Sequence, residues 1–145
     1  MIKKVKSFSS SPREVKVLFL KAYFLSALVR FSLVFLPFRK ILAWQGQVNV
    51  ESPNTIDEDS LSFRKSLQSA IRLCDKYTLW STECYTRALT GKILLRQQGL
   101  PGTIYIGFNK KNNGSYAGHA WLRSFDRIIT GGEEMNDFTV HSFYS

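Results

Sequence analysis

The chain has 145 residues, 44% of them hydrophobic and 21% charged, with a formal net charge of +9. Such a length suits one domain with a modest core, and the composition excludes a disordered or collagen-like chain. Two cysteines are too few for a disulfide framework, so free thiols in a reducing, cytoplasmic compartment are expected.

The charge is concentrated at the start. Residues 1–40 hold nine basic residues against one acid, Glu14, which leaves about +1 for the remainder. This segment could attract an acidic protein, an anionic membrane or nucleic acid. The aromatics are not interleaved with the basic run, however, and no glycine-rich phosphate loop is present, so a nucleic-acid partner is not expected. Ser11 can cap a helix and Pro12 fits its first turn. That helix should run to Phe35, where Pro37 stops or kinks it. Val17 to Leu36 is about long enough to span a bilayer. Lys21 and Arg30 lie inside it, at roughly 2.5–3.5 kcal/mol each near a bilayer centre. The small-residue cleavage site of a signal peptide is missing. A buried or membrane-surface helix is expected, needing cover on more than one side. Residues 1–54 form this basic, apolar segment and residues 55–145 the core of what should be one compact domain.

Thr55-Ile56-Asp57-Glu58 reads as a capping box. A helix should follow, with Leu67, Ala70, Ile71 and Cys74 on its apolar face. Ser81 or Thr82 can cap another helix reaching Gln98, stopped by Gly99 and Pro101. Then the period changes to alternation. Thr103 to Phe108, Ala117 to Ser124, Ile128 to Thr130 and Phe138 to Tyr144 read as strands, with a turn at Phe125 to Arg127. Helices first and strands second predict an α+β fold with a small antiparallel sheet.

Cys84 falls about three residues into the second of those core helices. The first turn of a helix presents unpaired N–H groups and a partial positive charge, which favour a thiolate nucleophile. His119 lies early in a strand and shares a face with Trp121 and Arg123. A helix-start cysteine and a strand histidine on two elements that can pack form a candidate pair. Cys74 reads as core. A zinc site would need Cys74, Cys84, His119 and His141 without any close ligand pair, so no metal is expected. His141 reads as a strand residue without catalytic duty.

The ordered set Cys84-Tyr85-Thr86-Arg87-Ala88-Leu89, Leu94-Leu95-Arg96-Gln97-Gln98-Gly99-Leu100-Pro101, Ile104-Tyr105-Ile106-Gly107-Phe108 and Gly118-His119-Ala120-Trp121-Leu122 resembles the transglutaminase-like, papain-like cysteine protease domain. More narrowly, it resembles the leader peptidases of lasso-peptide biosynthesis. The resemblance implies a Cys-His-Asp triad with Cys84 as nucleophile and His119 as base, and no cofactor. It implies cleavage of a leader from a ribosomally made precursor before macrolactam closure. The implied partners are the precursor peptide, a separate leader-recognition protein and an ATP-dependent cyclase. Transglutamination or amide hydrolysis of another substrate would use the same two residues, and a non-enzymatic basic adaptor would use neither. The acid does not carry over cleanly. A hairpin turn at Asp126 should bring the region of Gly131 to Glu134 opposite His119. Glu133 is the favoured third member, with Asp126 the alternative, and Glu134 or Asp137 also in reach.

Overall fold

The computed structural model describes residues 9–145. Among these residues the helices α1 (Arg13–Phe35), α2 (Phe38–Ala43), α3 (Leu61–Tyr77) and α4 (Cys84–Gln97) precede the strands β1 (Thr103–Lys110), β2 (Tyr116–Ser124), β3 (Arg127–Thr130) and β4 (Thr139–Tyr144). The strands form one antiparallel sheet in the order β3-β2-β1-β4. The expected α+β class, helices first, is therefore borne out. The short connection at Phe125-Asp126 makes β2 and β3 a hairpin, and Phe125 takes a φ of 51° to close it.

The helix starts depart from expectation. Pro12 sits at the N-cap of α1 and Glu83 at that of α4, neither giving a side-chain cap. Thr82 instead hydrogen-bonds Asp75, so α4 begins at Cys84 itself, earlier in its first turn than expected. The anticipated box at Thr55 to Glu58 does not open α3, which starts at Leu61. Asp57 turns back to accept from the Ser60 N–H (3.0 Å) and from its hydroxyl. The cause is Arg64, wholly buried on the apolar side of α3, which draws the Asp57 carbonyl and carboxylate toward itself. Burying a guanidinium is costly unless it is paired, so the chain before α3 bends to pair it. The end of α4 follows the sequence. Gly99 takes a φ of +68°, and the Leu100 N–H reaches back to the Leu95 carbonyl at 3.0 Å.

The core lies between the helices and one face of the sheet. Ile104, Ile106, Ala120 and Leu122 face the helices and are buried with Leu67, Ile71, Leu89, Leu94 and Leu95. α1 adds Val15, Leu18, Phe19, Ala22 and Val29 to the same cluster by packing on α3 and α4, so the core crosses position 54. Cys74 is buried there, as expected, with its sulfur 3.7 Å from the Ser26 hydroxyl.

Candidate active site

Cys84 opens α4, half-buried and free of disulfide bonding. Glu83, immediately before it, is drawn toward Arg30 at 3.5 Å. Tyr85, immediately after it, lies over β2. A Cβ at Gly118 would stand 3.1 Å from the Tyr85 hydroxyl, a tight contact that would press on the end of that side chain. Burial, aided by the neighbouring Cys84, raises the Tyr85 phenol above its ordinary value. The start of α4 therefore packs directly on the Gly118-His119 end of β2.

His119 is 4% exposed. Its Nε2 lies 2.8 Å from the Gly131 carbonyl oxygen. A carbonyl only accepts, so Nε2 carries the hydrogen and Nδ1 is the nitrogen left for proton transfer. The ring lies 5.8 Å from Trp121 in a stacked arrangement and 4.9 Å from Phe138. Trp121 in turn stacks on Tyr105, whose hydroxyl accepts from Arg123. The shared face of His119, Trp121 and Arg123 is thus as expected.

That alternation has a consequence for the proposed pair. Gly118, Ala120 and Leu122 face α4, and His119 points to the other side of the sheet. No hydrogen bond joins Cys84 to His119 among the described residues. The structure brings the two residues to the same end of β2 but on opposite sides of it.

The acids separate clearly. The Glu133 carboxylate, favoured from sequence, lies 3.6 Å from Arg72. Asp126 sits in the β2–β3 turn, at the opposite end of β2 from His119, and holds the Arg64 guanidinium at 3.1 Å. Asp137 lies in the short 3-10 turn Met135–Asp137. Glu134 is the carboxylate nearest His119, with Oε2 4.0 Å from Nδ1. That is charge proximity and not a hydrogen bond. β3 stops at Thr130, where Gly131 takes a φ of +75°, so the chain leaves the ladder before Glu133 can pair across from His119.

A cavity of about 530 Å³ opens beside this end of the sheet. Ile71 and Asp75 of α3, Arg87 of α4, Thr130 of β3, His119 and the Gly131 to Glu134 segment line it, and Cys84 does not. Arg87 and Asp75 pair across its wall at 3.4 Å. The hydroxyl of Thr130 and the Nε of Arg87 are buried without a hydrogen-bond partner. These groups escaped the sequence reading because neither Arg87 nor Asp75 stands out by spacing. Arg64 did leave a signal, three residues before Leu67 on the apolar stripe of α3.

Comparison with known proteins agrees with the architecture. No curated protein and no solved structure gives a significant match. The family model described as the transglutaminase-like superfamily matches residues 27–142. It spans the helix opened by Cys84, the strand bearing His119, and β1 to β3 with most of β4. Its members share a fold of the cysteine-protease and acyltransferase type and are typically enzymes. On that match, covering most of its length, the chain belongs to the transglutaminase-like superfamily.

Proposed function

We propose that the chain is a cysteine peptidase that removes the leader from a lasso-type precursor before ring closure. The observation that carries this reading is Cys84 at the first residue of a helix packed on the sheet of a transglutaminase-like chain. Nδ1 of His119 takes the Cys84 thiol proton, and the thiolate attacks the leader–core carbonyl and forms an acyl-enzyme. His119, through Nδ1, gives its proton to the leaving amine, and water then releases the acyl group. The Gly131 carbonyl holds the ring tautomer, with Glu134 as the nearest charge. The thiol and imidazole meet only after the Gly118-His119 end of β2 and the Gly131 to Glu134 segment rearrange around the substrate. Catalytic contacts are commonly looser before the substrate is bound than in the reacting complex.

The opposite orientation of His119 favours one alternative, a chain that keeps the fold and acts by binding alone. Precursor incubated with the chain, its recognition protein and the cyclase, followed by mass spectrometry, separates the two. Loss of the leader in the native chain, abolished by Cys84→Ala with unchanged circular dichroism, is the expected result. Leader removal at the same rate by Cys84→Ala would overturn the assignment. An ammonia-sized loss would instead indicate transglutamination or deamidation.

A further inference from the structure

α1 has two apolar faces, and the core uses one. Val15, Leu18, Phe19, Ala22, Ser26 and Val29 are buried against the domain. On the other side Val17, Leu20, Phe24, Leu28, Phe31 and Phe35 are exposed, Phe24 by 70% and Phe31 by 61%. Their spacings of three and four form a single stripe along the helix. So long an apolar stripe exceeds the scattered apolar residues of an ordinary surface.

The charge around the stripe indicates what covers it. Lys21 is exposed within α1, Arg13 stands at its start, and Arg39 and Lys40 are exposed just beyond its end. The one acid of residues 1–40, Glu14, accepts from the Ser66 hydroxyl at 2.9 Å. Trp44, at the end of α2, is 62% exposed beside this basic cluster, the residue type favoured at membrane–water boundaries. A second copy docked on the same stripe would gather Lys21, Arg39 and Lys40 of both copies, all of one sign, at a single two-fold interface. Nucleic acid would use the basic groups and leave the phenylalanines in water.

We propose that α1 lies in the plane of an anionic phospholipid surface, its Val17-to-Phe35 stripe in the acyl boundary and its basic residues among the headgroups. α1 is long and apolar enough to cross a membrane, with a mean hydropathy of 1.8 over its most apolar window. Crossing would strip Val15, Leu18, Phe19 and Ala22 from the core, whereas lying flat uses both faces at once.

The test is vesicle co-sedimentation of the full chain. Mixed phosphatidylglycerol–phosphatidylcholine vesicles should bind it and pure phosphatidylcholine should bind it far more weakly, with added salt narrowing the gap. Phe24→Glu and Phe31→Glu should each weaken binding about tenfold or more. Lys21→Gln and Lys40→Gln should each weaken it about fivefold. Circular dichroism checks each fold, and Phe24→Ser replaces any variant that unfolds. Binding should survive Cys84→Ala. Failure to bind the anionic vesicles, or equal binding to both vesicle types, overturns the proposal. So does a dimer in light scattering that Phe24→Glu dissociates, which assigns the stripe to a second copy. Resistance of the bound chain to alkaline carbonate extraction would indicate a span and also overturn it.

Discussion

The two ends of β2 are built on different terms. At the Ser124 end, three cations are buried, Arg64 and Arg123 each held by at least two backbone carbonyls and Lys92 by one. Arg64 donates to the Ser124 carbonyl at 2.8 Å and also reaches the Asp57 carbonyl. Arg123 donates to the carbonyls of Ser52 (3.0 Å), Pro53 (3.1 Å) and Phe125 (2.7 Å). Lys92 donates to the Tyr144 carbonyl at 3.0 Å, two strands across the sheet from β2. At the Gly118-His119 end, one imidazole has a single carbonyl partner, and its nearest acid, Glu134, is 71% exposed. A buried charge demands a full set of partners, so cations of this kind rigidify the segments that pair them. The clamped end ties the 51–57 strap, the hairpin turn and the last strand together. The other end is left with weak polar ties, which suits a place where substrate must enter and side chains must move.

The largest effect should come from breaking the clamp. Arg64→Met leaves the Ser124 carbonyl without its donor and is expected to cost about 3–5 kcal/mol in urea unfolding. A loss below about 1 kcal/mol would mean the clamp is ornamental. Lys92 gives the next effect, and its sign is opposite to a usual salt bridge. Burial, aided by the nearby Arg96 charge, lowers its amine from the ordinary value of 10.5 to about 8. Between about 8 and 10.5 the unfolded chain binds a proton that the folded chain does not, so stability rises with pH in that window. Relative to Lys92→Met, the native chain should gain on the order of 1–3 kcal/mol as pH climbs through it. Parallel stability curves for the two proteins would refute this.

Asp126→Asn should follow, at about 1–2 kcal/mol of stability, because the turn loses a charged partner of Arg64. Cleavage by the folded variant should stay within a few-fold. Abolished cleavage with full stability would return Asp126 to the triad and invert the comparison. The smallest stability effects are expected at the other end. Glu133→Gln and Glu134→Gln should each change the unfolding free energy by less than about 0.5 kcal/mol, since both acids are largely exposed. Their activities should differ. Glu134→Gln should lower kcat/KM roughly tenfold through loss of charge near Nδ1, and Glu133→Gln should leave it unchanged. The reverse order in a steady-state cleavage assay would show that Glu133 swings from Arg72 to the histidine during turnover.

The sequence by itself determined the class, the order of elements and most of their limits. Pro12 and Pro37 bounded α1, apolar spacing at three and four marked α3, Gly99 ended α4, and alternation marked the strands and placed His119, Trp121 and Arg123 on one face. Those signals are local, so they survive without knowledge of the fold. Tertiary structure decided which side of the sheet that face would be. Ala120 and Leu122 are the residues that bury best against α4, so their neighbours His119 and Trp121 go to the other side. It also decided the acids. Their positions depend on where β3 leaves the ladder and on which cation claims a carboxylate first. Arg64 takes Asp126, Arg72 takes Glu133, and Gly131 turns the chain so that Glu134 is left near the imidazole. Competition among charges brought together from distant parts of the chain has no local trace, and only packing resolves it.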